Sequence, residues 1–235
     1  MKVPHISASS VKTWKNCKLQ FYAEKILKVE RSPLHPLTKM GIAVHEAFER
    51  SVEDKDFVAH LSEACNNQGL DEDLVGLSTE LCKTCEDWGW WDDIDELDHC
   101  IPEYEFLIDI GEGINVKGFI DRLDIKGDSA TILDIKTQSK KFSADELKNN
   151  LQADIYNLAT RMNYPTIKGP IRVEFWVLRH EIQSVTKTLE DAMKTKEYLL
   201  EIGKEIMSHP DELYPEAQKN PNCRWCDYKN NCPEW

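Results

Sequence analysis

Residues 116–136, VKGFIDRLDIKGDSATILDIK, decide how this chain is read. Apolar and polar side chains alternate on both sides of Lys126-Gly127-Asp128-Ser129, a run of turn formers, so 116–125 and 130–136 read as strands of a hairpin. Upstream, 103–109 (EYEFLID) and the Gly111-Glu112-Gly113 turn add a third strand to the meander. Antiparallel pairing then brings Asp121, in Gly118-Phe119-Ile120-Asp121, toward Asp134, in Asp134-Ile135-Lys136. Ile132, Leu133 and Ile135 mark the last strand as buried, and charges ending a buried strand are costly unless paired or bound to metal. Two carboxylates that close favour a divalent cation, with Lys136 offsetting charge or orienting an attacking water; a buried Asp/Lys ion pair is the plainer alternative. The triplet alone is weak: five acid-x-Lys matches occur, and about four are expected by chance at this composition.

Working outward, Ser143-Ala144-Asp145-Glu146 is a capping box that opens a helix to about residue 163. Gln152 and Tyr156 stand i and i+4 on it, on one face, and both side chains can hydrogen-bond a phosphate or a metal-bound water. Residues 170–179 (PIRVEFWVLR) form a further strand, and 188–208 a helix stopped by Pro210. At the other end, Val11, Trp14, Phe21 and Tyr22 recur at helical intervals over 7–28, with Ser7 or Ser9 as N-cap. A second helix, from 38 into the fifties, carries His45 among apolar residues. A lone histidine there is more often structural than a ligand.

The 235 residues carry a net charge of −13, with 41% apolar content and few Gly and Pro. Such a chain is globular, and long enough to bury roughly 70% of its unfolded surface as a single domain over 1–235. The charge argues against a protein that coats nucleic acid by bulk basicity. It is also local: 51–105 holds 17 acids against two bases, Lys55 and Lys83. Residues 51–100 therefore read as an acidic helical insertion that faces away from nucleic acid or toward a protein partner. No apolar run reaches the ~18 residues of a membrane span and no leader is visible, so the expectation is a soluble, cytoplasmic protein without membrane contact.

Eight cysteines in a reducing compartment read as thiols or metal ligands. Cys223, Cys226 and Cys232 form a C-x2-C-x5-C, one ligand short of a tetrahedral metal or an iron–sulfur cluster. Cys17, Cys65, Cys82, Cys85 and Cys100 are candidates for the fourth position. Cys82 and Cys85 are themselves a C-x2-C, read as ordinary helix cysteines ahead of half a zinc site or a redox pair.

Taken in order, these pieces resemble the RecB-like branch of the PD-(D/E)XK nucleases, especially its iron–sulfur members: the AddB nuclease domain, exonuclease V and the CRISPR-associated adaptation nucleases. Ile6 through Tyr22 is similar to the opening S-x-S…C…F-Y helix, although Lys18 stands where a proline often follows the cysteine. Gly41–His45 resembles the helix bearing the family histidine, Gly118–Asp121 matches G-x-x-D, Asp134–Lys136 matches D/E-x-K, and Gln152 with Tyr156 matches Q-x3-Y. The resemblance implies an α/β restriction-endonuclease-like core, a mixed central sheet flanked by helices. It implies Mg²⁺ or Mn²⁺ on His45, Asp121, Asp134 and the Ile135 carbonyl, with Glu103 favoured over Glu105 as a further ligand, the two sharing a strand face. Lys136 would assist the nucleophilic water, and Gln152 and Tyr156 would line the DNA path. It also implies a 4Fe-4S cluster on Cys17, Cys223, Cys226 and Cys232, joining 1–30 to 220–235 as a staple worth roughly 5 kcal/mol.

The expected activity is a metal-dependent DNA exonuclease on single-stranded ends, of use in DNA repair. A helicase, recombination or integrase partner would dock through the acidic segment. The competing expectation is a non-catalytic DNA-end binding or partner-docking module that keeps the fold.

Overall fold

The computed structural model describes residues 3–30, 32–210 and 214–234; Met1, Lys2 and Trp235, the outer limits of the expected domain, lie outside the described residues. The stretch 116–136 forms β2 (Asn115–Lys126) and β3 (Ser129–Lys136), preceded by β1 (His99–Asp109). With β4 (Ile171–Val177) and β5 (Glu181–Lys187) these make a five-stranded sheet of order β1-β2-β3-β4-β5. The β2/β3 register runs antiparallel from Lys126↔Ser129 to Arg122↔Leu133. β3 then pairs with β4 in parallel from Ala130↔Ile171 to Lys136↔Val177, and β5 returns antiparallel beside β4. A parallel step needs a crossover. It is supplied by α6 (Ala144–Lys148) and α7 (Leu151–Asn163). The fold is thus α/β with a mixed sheet flanked by helices, as the family resemblance implies.

β3 is the central strand. Residues of both parities on it, Ile132, Leu133, Asp134 and Ile135, are buried, which is the signature of a strand covered on both faces.

The chain divides into two compact units. One comprises Leu34–Glu105 and Phe119–Ala192. Its core packs Met40, Val44 and Phe48 of α3 (Pro36–Arg50) against α4 (Phe57–Gln68) and α5 (Glu72–Asp87), and against Leu133, Ile135 and Trp176 of the sheet. The acidic stretch therefore supplies core: Phe57, Leu61, Leu81, Cys82 and Cys85 are buried while Glu72, Asp73 and Glu80 face solvent. Burying each such apolar side chain stabilises by about 1.5–3 kcal/mol. Burial also pushes the Cys82 thiol up to about 12 and Cys85 well above its usual range, so both are protonated packing residues.

The other unit comprises Met1–Pro33, Phe106–Gly118 and Met193–Trp235. The single helix expected over 7–28 is two, α1 (Ala8–Asn16) and α2 (Lys18–Lys25). Ser7 caps the first through a reciprocal box with Ser10. Cys17 breaks the run with extended backbone (φ −162°, ψ 112°) and caps the second, its Sγ accepting from Gln20 N at 3.5 Å. The helix expected from 143 to 163 is likewise divided, because Asn150 caps α7 through the N–H groups of Gln152 and Ala153. α8 (Leu189–Ser208) follows β5, and the tail folds into short 3₁₀ turns at Pro221–Trp225 and Lys229–Asn231. No helix among the described residues is long and apolar enough to cross a membrane.

Candidate active site

The β2/β3 ladder ends at Arg122↔Leu133, while β3 runs three residues further against β4. Beyond that point the Asp121 side chain takes over from backbone: Ile135 N–H donates to Asp121 Oδ2 at 2.6 Å. Asp121 Oδ1 lies 3.4 Å from His45 Nδ1 on α3. Two residues along β3 place Asp134 and Lys136 on one face. The Lys136 ammonium forms an ion pair with Asp134 Oδ2. Tyr156 Oη donates to Asp134 Oδ1 at 2.7 Å, and Gln152 Nε2 donates to Tyr156 Oη at 2.6 Å. One helix turn of α7 thus holds one oxygen of Asp134, and the lysine of its own strand faces the other.

Electrostatics separate the two carboxyls. Burial would raise Asp121, but the His45 ring, the Ile135 N–H and Lys136 hold it below the usual carboxylate range. Burial, with Asp121 nearby, leaves Asp134 raised despite Lys136 and Tyr156. His45 is raised, since Asp121 and Asp134 outweigh the cost of burying its charge. Glu103 is pushed up to about 7 by burial, then by Asp121 and Glu49. It is the glutamate whose titration the site governs. The expectation that Glu103 and Glu105 share a strand face is not met. Glu103 has a left-handed φ of 47° in the edge strand β1, which shifts the alternation and leaves Glu105 exposed.

A groove of about 850 Å³ opens beside these groups, walled by Thr38, His45, Glu49, Lys136, Gln138 and Arg179 among others. Gly41 lets α3 approach the strand end, since a Cβ there would stand 3.0 Å from Thr137 Oγ1. Among the described residues, no three His, Cys, Asp or Glu side chains are gathered closely enough to hold a metal ion. The donor set nonetheless fits a hard divalent cation. It is two carboxylates and an imidazole, with the Asp121 and Asp134 oxygens the kind of donor such an ion takes. In the other unit, Cys17, Cys223, Cys226 and Cys232 line one cavity. Cys226 is raised by burial and by the neighbouring Cys17 and Cys232 thiols.

Residues 5–233 match the model of the PD-(D/E)XK nuclease superfamily. The chain belongs to that superfamily. Membership in the PD-(D/E)XK superfamily supports nuclease chemistry here, with DNA as the substrate class and Mg²⁺ or Mn²⁺ as the ions such enzymes use. No match was found among curated proteins. Of solved structures, a presumed exonuclease from Eubacterium rectale is 12% identical over 97% of this chain and 88% of that one, at a TM-score of 0.59. That likeness is one of fold. SSO0001 (15% identical, 96% of this chain and 95% of that one) and VC1899 from Vibrio cholerae (10%, 88% and 56%) reach TM-scores of 0.41 and 0.27.

In this PD-(D/E)XK chain the structure gathers His45, Glu103, Asp121, Asp134, Lys136, Gln152 and Tyr156 in one unit, and the four cysteines in the other. Two residues at the groove were not anticipated. Glu49 could have been found from its i+4 spacing to His45 on α3. Arg179 carries no local signal.

Proposed function

We propose that the chain is a metal-dependent DNA exonuclease acting on single-stranded ends. The observation that carries this is the meeting of Asp121, Asp134 and Lys136 with His45 and Tyr156 beside an open groove. A Mg²⁺ or Mn²⁺ held by His45, Asp121, Asp134, the Ile135 carbonyl and Glu103 would polarise a phosphodiester and neutralise its developing charge. The chain's own groups do the positioning. The Ile135 N–H and His45 orient Asp121; Tyr156, fixed by Gln152, orients Asp134. Lys136 sits against Asp134 at the groove, where it can orient an attacking water and offset negative charge on phosphate.

End-labelled single- and double-stranded DNA, incubated with Mg²⁺, Mn²⁺ or EDTA, tests the reading. A ladder growing from one end of the single strand, absent in EDTA, is expected. Binding without cutting in either metal would instead favour the non-catalytic DNA-end module.

The same proposal includes a 4Fe-4S cluster on Cys17, Cys223, Cys226 and Cys232, which staples the fold without redox work. Its support is the single cavity that the four thiols line. Anaerobically purified protein should absorb near about 400 nm; colourless protein carrying zinc would overturn it.

The exposed acids of 51–100 are the surface we assign to a helicase, recombination or integrase partner in DNA repair. These helices also build the core, so the usable test is charge reversal at Glu72, Asp73 and Glu80, which should abolish capture of such a partner without changing cleavage.

A further inference from the structure

We propose that Arg179 grips a backbone phosphodiester of the substrate strand beside the catalytic groups, an inference that rests on the nuclease reading above. Arg179 lies two residues beyond β4, where Leu178 N–H donates to Lys136 O at 3.0 Å. It is therefore carried by the chain segment that pairs with the end of Asp134-Ile135-Lys136, and it walls the same groove as His45 and Lys136.

Its chemistry is unfinished. Among the described residues it forms no ion pair. Nη2 reaches only the Met40 sulfur, at 3.7 Å, and Nε is buried with no hydrogen-bond partner. A thioether is a weak acceptor, and leaving a guanidinium donor buried and unpaired is costly. The buried cations of this unit are satisfied. Arg122 is bidentate to Asp124 at 2.8 and 2.7 Å, Arg161 reaches the Ile167 and Gly169 carbonyls, and Lys187 meets Asp154 at 2.6 Å. Within the groove, Glu46 is engaged by Arg50 at 2.6 Å.

A group with two oxygens spaced for a planar fork would complete Arg179, and the non-bridging oxygens of a phosphodiester supply that. The same groove is lined by Leu37 and Ile42, 45% and 39% exposed. They give the face of an unstacked base an apolar surface to lie on, and a duplex keeps its base faces stacked inside.

The test uses full-length Arg179→Gln and Arg179→Lys, with cleavage of a single-stranded oligonucleotide measured from about 50 to 200 mM salt. Arg179→Gln should raise KM by an order of magnitude or more, with a much smaller fall in kcat. It should also flatten the slope of log(kcat/KM) against log[salt] by about 0.7, the share of one single-strand phosphate contact. Arg179→Lys should restore the slope while leaving KM high, since it keeps the charge and loses the fork. Oligonucleotides lacking terminal phosphate should behave as phosphorylated ones do. If removing the terminal phosphate reproduces the Arg179→Gln defect, the contact is with a strand end and the inference fails. Wild-type KM and slope in Arg179→Gln would sink it while leaving the nuclease reading intact, and so would equal losses in both variants with a lowered Tm. A wild-type protein that neither cuts nor binds DNA overturns both.

Discussion

Asp134 is a carboxyl that burial pushes up and the neighbouring lysine pulls down, and its two oxygens are held by different elements, Tyr156 of α7 and Lys136 of β3. Removing its charge, or that of the lysine which also faces the groove, should cost more than removing the tyrosine hydroxyl. Asp134→Asn and Lys136→Ala are each expected to lower kcat by about 10³ or more, and Tyr156→Phe by about tenfold, which steady-state cleavage assays with circular dichroism as a folding check would measure. Loss of less than tenfold in Asp134→Asn would remove Asp134 from the chemistry. Glu103 makes a separate prediction, on pH. Its folded value of about 7 lies above the ordinary 4.5, so the folded state holds this proton more tightly than the unfolded chain. The resulting stability is present below pH about 4.5 and is lost as pH rises through 7. In EDTA, urea midpoints should therefore fall between pH 5 and about 7.5, and Glu103→Gln should flatten that slope. A slope identical to wild type would show that Glu103 does not carry the titration. Metal binding displaces the same proton, so Mn²⁺ should raise Tm more at pH 8 than at about pH 6.

Elements explain what single residues do not. Gly118 opens the G-x-x-D of β2, yet its backbone needs no left-handed φ. A Cβ there would stand 2.4 Å from Phe106 Cζ, so the ring of β1 occupies the place a side chain would take. Gly118→Val should destabilise the fold by about 1–3 kcal/mol in urea titrations, with activity at low temperature largely kept. Unchanged stability would mean that Phe106 moves aside freely. The hairpin that carries this glycine could be read from sequence, because both strands alternate and 126–129 allows a tight turn. That reading already brought Asp121 to Asp134. Other elements leave weaker marks. β5 is an edge strand of half-exposed side chains, so its register comes from β4 and not from any apolar run of its own. The breaks at Cys17 and at Asn149–Asn150 interrupt patterns that stay helical on both sides, and only the side chains that cap the second helices reveal them. At the site, the hairpin residues were legible locally. His45, Gln152 and Tyr156 gained roles only through the family resemblance, and Arg179 gained one only from the groove it walls.

At the scale of the molecule, one of the two units is assembled from three separated stretches of chain, and the tail that follows α8 is poorly anchored by burial. In the tail, Cys223, Cys226 and Cys232 are half-buried and Trp225 is 71% exposed. A few hydrogen bonds hold it: Lys18 N–H to Gln218 Oε1 at 3.2 Å, Gln218 N–H to Cys17 Sγ at 3.4 Å, Asn220 Nδ2 to Asn16 O at 3.1 Å, and Ser32 N–H to Asp227 Oδ1 at 3.1 Å. In the proposed cluster, a tie between Cys17 and the tail thiols would close a loop of about 200 residues and add roughly 5 kcal/mol by removing unfolded-state entropy. Cys17→Ser should therefore abolish the visible absorbance, lower Tm, and expose the tail to limited proteolysis ahead of the rest of the chain. Cys82→Ser should behave in the opposite way: it places a hydroxyl in an apolar core and lowers Tm, but leaves the absorbance intact. In the native protein a thiol reagent should reach the tail cysteines after chelation, while Cys65, Cys82 and Cys85 react only on unfolding. If Cys17→Ser keeps both its colour and its protected tail, Cys17 is not the fourth ligand.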